Sequence, residues 1–206
     1  MRRLARHLTL VALASAPAIA HAQAASARPQ RFYFRGVLGV GYGVFGDDVG
    51  SRIAGFGALG NFALGVHIAY GIAVHIDACA MSLVSPTYSV NGAVVASRGT
   101  ADSTSTTSII GGGVTWRHPS LFWVSVSGGV SVLGVEKPGA MDSFGRTGLG
   151  WGLNILAGRD WTFAHTWHVG VALHGLVAGM PDQPVGRVTP MWTSLGGGVS
   201  ITVTDH

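Results

Sequence analysis

Eight stretches of this chain alternate apolar residues with small or polar ones. The clearest is the segment 121–135, in which Val124 and Val126 alternate with Ser125 and Ser127. An alternation of period two requires an extended strand whose two faces meet different surroundings. We therefore predict eight strands, covering approximately residues 31–44, 55–68, 72–83, 105–117, 121–135, 147–158, 166–178 and 191–204.

The first residues of the chain have the features of a secretory leader. Arg2, Arg3 and Arg6 are basic, an apolar run follows from Leu8 to Ala20, and Ala20-His21-Ala22 fits a cleavage site with small residues. The apolar run is too short to span a membrane as a helix. We expect residues 1–22 to be a signal peptide, 23–30 a flexible N-terminal segment and 31–204 a single domain.

The charge balance disfavours nucleic-acid binding, and the cysteine content excludes an intramolecular disulfide. Three of the 13 basic residues lie in the expected leader, so the mature chain would have 10 basic and 9 acidic residues and a net charge of +1. This balance removes the electrostatic basis for nucleic-acid binding. Cys79 is the only cysteine, so no intramolecular disulfide can form, and we expect it to be a small packing residue.

The composition is too apolar for an ordinary soluble domain. Mean hydropathy is +0.40 and only 11% of residues are charged, yet no mature segment is a continuous apolar run long enough for a helical span. A closed barrel satisfies every backbone group between strands and can therefore lie in lipid. A soluble sandwich or lipocalin also alternates, but the second face here is rich in Gly and Ser and poor in Lys and Glu, which fits a narrow interior better. We predict an all-β protein, an eight-stranded antiparallel up-and-down transmembrane β-barrel.

The connections between the predicted strands alternate in length. Those near 69–71 and 118–120 are tight and that near 159–165 is moderate. Short turns on one side and long loops on the other are typical of barrels with periplasmic turns and external loops. The longer connections are expected near residues 45–54, 84–104, 136–146 and 179–190.

Aromatic residues on the apolar face form two groups. One group lies near the short-turn end and the other nearer the long-loop end, as in the interfacial girdles of membrane barrels. The first contains Phe34, Trp116, Phe122 and Trp167, and the second contains Tyr42, Phe56 and Trp151.

Two segments and the strand count resemble a known group of proteins. The glycine-laced stretch 32–43 and the stretch 151–161 are similar to strands of the small outer-membrane β-barrel proteins of Gram-negative bacteria. That group includes barrels like the OmpA transmembrane domain, OmpX and OmpW. The resemblance implies a porin-like barrel in the outer membrane, in contact with membrane lipids, and implies no functional residue.

Four polar residues are predicted to point into the barrel. His67 and His75 flank the turn at Tyr70-Gly71, and a turn centred on residue 71 would place them opposite each other with Asp77 one step along. His174 also faces inward. These residues could hold a metal, but polar groups inside small barrels commonly bond to one another. We therefore favour a hydrogen-bonded plug, with no metal or cofactor.

Three arginines and two glycine runs have structural explanations. Arg35, Arg117 and Arg159 lie near the short-turn end, where they could pair with Asp77 or Asp160 or meet lipid headgroups. The glycine runs 111–113 and 196–198 precede no helix, so a phosphate loop is disfavoured. We expect these glycines to permit curvature and close strand packing.

The sequence leaves three functional hypotheses open. We favour a monomeric structural or surface-interaction barrel without catalysis, whose long loops could meet an extracellular ligand. The second hypothesis is a narrow conduit or pocket for a small apolar molecule, suggested by the inward residues Leu59, Met81, Leu133 and Leu156. The third, an enzyme that modifies lipid A, is disfavoured because no G-x-S-x-G motif occurs and Ser194 and His174 are predicted at different heights.

Overall fold

The computed structural model describes residues 32–96, 104–136, 144–164, 166–182 and 189–205. The expected signal peptide, 1–22, and the N-terminal segment, 23–30, lie outside the described residues. Within these ranges no helix is long and apolar enough to cross a membrane.

The described part of the chain is all-β, as predicted, and contains eleven strands. Eight are long and three are short additions in the connections. The strands are β1 (Phe32–Asp47), β2 (Ser51–Ala69), β3 (Ile72–Val84), β4 (Thr87–Val90), β5 (Ala93–Ala96), β6 (Thr104–Arg117), β7 (Phe122–Glu136), β8 (Phe144–Arg146), β9 (Gly150–Thr162), β10 (Trp167–Pro181) and β11 (Met191–Asp205).

The eight long strands close into an antiparallel barrel, which confirms the predicted fold class. The order is β1-β2-β3-β6-β7-β9-β10-β11, and β11 pairs back onto β1. The closed sheet has a stagger of ten residues: a path that starts at Phe122 and moves from each residue to its partner on the next strand returns to β7 at Val132. With eight strands, this stagger corresponds to a strand tilt of about 40° to the barrel axis.

The two faces of each strand separate as the alternation predicts. On β7, Val124 and Val126 are 41% and 43% exposed on the outer surface, whereas Ser125 and Ser127 are buried at 1% and 3%. The outer surface is therefore apolar and the interior is enclosed. Since β1 starts and β11 ends beside the turn at Tyr70-Gly71, both ends of the described barrel lie at the short-turn end.

Glycines that point inward are required by the narrow interior. Gly111 on β6 is paired with Gly129 on β7, and a Cβ on Gly111 would lie 2.0 Å from the carbonyl oxygen of Gly128. The neighbouring Gly112 points outward, and its nearest contact would be 3.8 Å away. Close packing between strands therefore explains the inward glycines, and it does not require the outward ones.

Two connections at the long-loop end differ from the prediction. The expected long loop at 45–54 is wrong, because β1 and β2 extend into it and leave a tight turn. In that turn the side chain of Asp47 accepts hydrogen bonds from the backbone N–H groups of Val49 and Ser51, at 3.1 and 2.6 Å. These bonds stabilise the tight turn, which strand alternation alone does not predict.

The connection at 84–104 contains a β-hairpin, which was not predicted. Strand β4 pairs with the upper part of β2, above the point where β3 leaves it, and β5 pairs with β4. Asn91 and Gly92 both have positive φ values, 50° and 80°, as an Asn-Gly two-residue hairpin turn requires. The hairpin extends the barrel wall on the long-loop side.

Candidate functional site

A buried ion pair lies in the middle of the barrel. Arg35 on β1 and Asp77 on β3 are 1% and 2% exposed, and their side chains approach to 3.5 Å. Arg35 also donates to Asn61 Oδ1 and Thr115 Oγ1, both at 3.3 Å, and its guanidinium lies 5.0 Å from the ring centre of Trp123. The charge of Arg35 is therefore compensated from several strands, as a buried charge requires.

Asp77 is the main acceptor in the layer of polar side chains around this ion pair, which we call the Arg35–Asp77 layer. Its Oδ1 accepts hydrogen bonds from Asn61 Nδ2 at 2.7 Å and from Asn154 Nδ2 at 3.4 Å. His174 Nε2 lies 2.8 Å from Asn154 Oδ1 and 3.4 Å from the sulfur of Cys79. The layer therefore connects β1, β2, β3, β9 and β10 through the centre of the barrel.

A second group of polar side chains surrounds Thr115 on β6. Its hydroxyl lies 3.1 Å from the Tyr33 hydroxyl and 3.0 Å from His75 Nε2, and it donates to Ser125 at 3.0 Å. Because Arg35 also bonds to Thr115, this group and the central ion pair form one network. The sequence indicated Arg35 as a possible partner of Asp77, and the structure forms that pair. The roles of Asn61, Asn154 and Thr115 in the network were not predicted, although all three occupy inward positions of the predicted strands.

A third polar group lies closer to the short-turn end. Asp160 is fully buried and forms an ion pair with Arg117. Its Oδ1 also accepts hydrogen bonds from Trp123 Nε1 at 2.9 Å and from Thr202 Oγ1 at 3.0 Å. The structure thus pairs Arg35 with Asp77 and Arg117 with Asp160, whereas Arg159 points outward.

Apolar side chains fill the interior toward the long-loop end. Leu59, Met81 and Leu133 are fully buried and belong to one cluster that extends to Phe45 and Met180. Leu156 lies in a separate cluster with Trp123, lower in the barrel. Side chains therefore occupy both the central and the upper interior.

The predicted positions of the four inward polar residues require one correction. His75, Asp77 and His174 are buried in the interior, but His67 does not face His75. The turn is centred one residue earlier than expected and a bulge interrupts β2 after His67, so His75 pairs with Gly65 and His67 with Ala73. His67 instead contacts the edge of Tyr33, with ring centres 5.5 Å apart.

The described residues contain no group of three His, Cys, Asp or Glu side chains placed to hold a metal. They do bring Ser125, His75 and Asp77 together, with Ser125 Oγ 3.4 Å from His75 Nε2 and Asp77 Oδ2 3.8 Å from His75 Nδ1. All three are at most 4% exposed. A nucleophile and base need access to substrate as well as to each other, and these three side chains have almost no exposed surface.

The outward aromatic residues lie in two bands. At the short-turn end the ring of Phe34 is 6.0 Å from that of Trp167, and at the other end Tyr42 and Phe56 are 5.1 Å apart. The other expected girdle residues, Trp116, Phe122 and Trp151, are about half exposed on the outer surface.

Trp161 also belongs to the short-turn band. It was not predicted there, because β9 extends four residues beyond its expected end at 158. It is 50% exposed and lies ten residues from Trp151 on the same outward face. At about 3.3 Å per residue and a tilt of about 40°, the two rings are separated by about 25 Å along the barrel axis. This is the height of the apolar band in outer-membrane barrels.

Between these bands the surface is strongly apolar. Leu38, Val40 and Ile76 are each at least 70% exposed, and such residues recur around the whole wall. A continuous apolar belt of this size is incompatible with a water-exposed surface, while a closed barrel with a filled polar interior is suited to lipid. The chain is an outer-membrane β-barrel.

Comparison with known proteins gives structural matches only. No protein-family model and no curated protein sequence matches this outer-membrane barrel. It is similar to Neisserial surface protein A, with a TM-score of 0.46, 14% identity and coverage of 84% of this chain and 98% of that one. It is also similar to the outer membrane protein OprG of Pseudomonas aeruginosa, with a TM-score of 0.49, 13% identity and coverage of 86% of this chain and 97% of that one. For Ail, the attachment invasion locus protein of Yersinia pestis, the TM-score is 0.44 and the identity 7%, with coverage of 84% of this chain and 99% of that one.

Proposed function

We propose that this protein is a non-conducting, non-catalytic outer-membrane barrel whose role is structural or in surface interaction. The observation that carries the proposal is the filled interior. The Arg35–Asp77 layer spans the middle of the barrel, and Leu59, Met81 and Leu133 close the space above it.

The filled interior disfavours the conduit hypothesis. The four inward residues that suggested an apolar pocket, Leu59, Met81, Leu133 and Leu156, are fully buried against other side chains. Passage of a small molecule would require the polar network and the apolar cluster to open together. A conduit is therefore the weaker proposal.

The same packing disfavours catalysis. Ser194 bonds to Thr107 at 2.8 Å, whereas His174 bonds to Asn154, so the pair considered for lipid modification is engaged with other partners. Ser194 is aligned with Ala178 and His174 with Gly198, four residues apart along the strands. This arrangement supports a protein without a catalytic serine in its interior.

The hairpin formed by β4 and β5 supports a role at the cell surface. It is attached to the barrel through pairing with β2 and through Tyr88, whose hydroxyl lies 3.0 Å from Ser105 Oγ. Val94 and Val95 on β5 are 62% and 68% exposed. A fixed hairpin that presents adjacent apolar side chains beyond the barrel wall is suited to contact another surface.

Single-channel recording in planar bilayers tests whether the filled interior blocks conduction. The wild-type protein should show no discrete conductance steps. The positive control is the Arg35→Ser/Asp77→Ser/Met81→Ala/Leu133→Ala variant, in which both the polar layer and the apolar cluster are truncated and conductance steps are expected. Reproducible steps from folded wild-type protein would contradict the proposed non-conducting barrel.

Cell-surface assays test the interaction role. Cells expressing the Val94→Ser/Val95→Ser variant should adhere less to hydrophobic beads than cells expressing equal amounts of wild-type protein. The matched control is Tyr70→Ser, which removes an exposed ring from the opposite, periplasmic turn. Equal adhesion by the wild-type and hairpin variants would refute a surface role for this hairpin.

A further inference from the structure

A groove of about 370 Å³ runs over the outer wall of the barrel near the short-turn end. It crosses the neighbouring strands β6, β7, β9, β10 and β11 on the apolar outer face. Its lining includes Phe122, Val124, Ala157, Arg159, Leu173 and Val199. The groove therefore opens toward lipid. Its base reaches Gly158, Ala172 and the buried Trp123, whose indole N–H donates to Asp160 inside the barrel.

The shape of the groove follows from one small side chain. The outward residues of β9 are large or long, including Trp151, Ile155, Arg159 and Trp161, except for Ala157. Ala157 is aligned with Val124 on one neighbouring strand and Leu173 on the other. It therefore forms an apolar depression between larger residues, directed from Arg159 toward the middle of the membrane.

Arg159 places a positive charge at the interfacial end of this depression. Its guanidinium lies 5.1 Å from the ring centre of Phe122 and 5.8 Å from that of Trp161, and the side chain is exposed. Within the described residues, no carboxylate lies at ion-pair distance from Arg159, and its neighbour Asp160 points inward to Arg117. An arginine beside interfacial aromatic rings can extend its charge to the headgroup region.

We propose that this groove is a binding site for one anionic glycerophospholipid of the periplasmic leaflet. The phosphate would contact Arg159 between the rings of Phe122 and Trp161, and an acyl chain would lie over Ala157 against Val124 and Leu173. Charge complementarity selects the anionic headgroup, and the direction of the depression selects a molecule with a long apolar chain. The site does not depend on whether the interior conducts.

Native mass spectrometry of the full protein, released from micelles containing phosphatidylglycerol and phosphatidylcholine, tests the proposal. The wild-type protein should retain one phosphatidylglycerol in preference to phosphatidylcholine. Removing one interfacial cation should weaken this preference about five-fold, so Arg159→Gln should reduce it by that factor. Ala157→Leu should reduce retention without changing charge, because the added side chain fills the depression.

Arg52→Gln is the matched control, since Arg52 is also exposed but lies at the long-loop end. It should leave lipid retention unchanged, and heat-modifiable gel mobility should verify that every variant is folded. Equal retention of the two lipids by wild-type protein would overturn the proposal. Displacement by inorganic phosphate alone, or loss of retention in Arg159→Gln but not in Ala157→Leu, would likewise overturn it by showing an anion site without a chain groove.

Discussion

The central ion pair gives the sharpest prediction about stability. The perturbation is a double-mutant cycle of Arg35→Met, Asp77→Ala and the combined variant. Each single change leaves one charge in the interior without its partner, 3.5 Å away in the wild-type protein. The cycle measures how strongly the two charges depend on each other.

The expected magnitude follows from the remaining contacts. Leaving a buried charge without its partner typically costs about 3–5 kcal/mol. In Asp77→Ala the arginine keeps Thr115, Asn61 and the face of Trp123, and the last contact is worth about 2 kcal/mol when desolvated. We therefore expect a loss near the lower limit, about 3 kcal/mol.

In Arg35→Met the carboxylate of Asp77 keeps the amide donors of Asn61 and Asn154. Hydrogen bonds to a charged group contribute about 1.5–3 kcal/mol each, so we expect a loss of about 3 kcal/mol here too. The combined variant leaves neither charge and should lose only about 3–4 kcal/mol, which corresponds to a coupling of about 2–3 kcal/mol.

The assay is reversible urea unfolding of the barrel in lipid vesicles, followed by tryptophan fluorescence and heat-modifiable gel mobility. Arg52→Met is the control, because it makes the same substitution at an exposed position and should change stability by less than about 0.5 kcal/mol. Additive losses from Arg35→Met and Asp77→Ala would refute the coupling between these two charges.

Three further predictions concern packing of the interior. Gly111→Ala should destabilise the barrel by about 1–3 kcal/mol through overpacking, whereas the adjacent, outward Gly112→Ala should be neutral or slightly stabilising; equal losses in urea unfolding would contradict the crowding argument. Cys79 should resist a water-soluble maleimide until the protein is unfolded, and rapid labelling of the folded barrel would show that water reaches the interior. Leu133→Ala should lose about 2–5 kcal/mol without conducting in planar bilayers, because the Arg35–Asp77 layer stays closed; conductance would show that the apolar cluster alone is the barrier.

The separation of inward and outward faces could be predicted from sequence because it depends only on local alternation. Val124 and Ser125 take opposite faces whatever their distant neighbours are. The aromatic bands follow from the same rule. Trp161 was not assigned to a band only because the predicted strand ended at residue 158, before Trp161. Face assignment survives small errors in strand length.

Contacts across the interior could not be predicted in the same way. They depend on the stagger of the closed wall and on the register of each turn, which local patterns leave undetermined. A shift in the turn after β2 was enough to separate His67 from His75. The sequence indicated both Asp77 and Asp160 as possible partners of Arg35. The choice of Asp77, on a strand that does not neighbour β1 in the wall, depends on closure of the whole barrel.

The most direct test of the account is nuclear magnetic resonance of methyl-labelled protein in lipid nanodiscs. A spin label on the lipid tails should strongly broaden the methyl signals of Val124, Val126 and Val130, and should leave those of Leu133 and Leu156 sharp. A water-soluble paramagnetic complex should broaden neither set. Broadening of the leucines by the soluble complex, or protection of the valines from the lipid label, would contradict a filled barrel whose apolar face contacts the membrane.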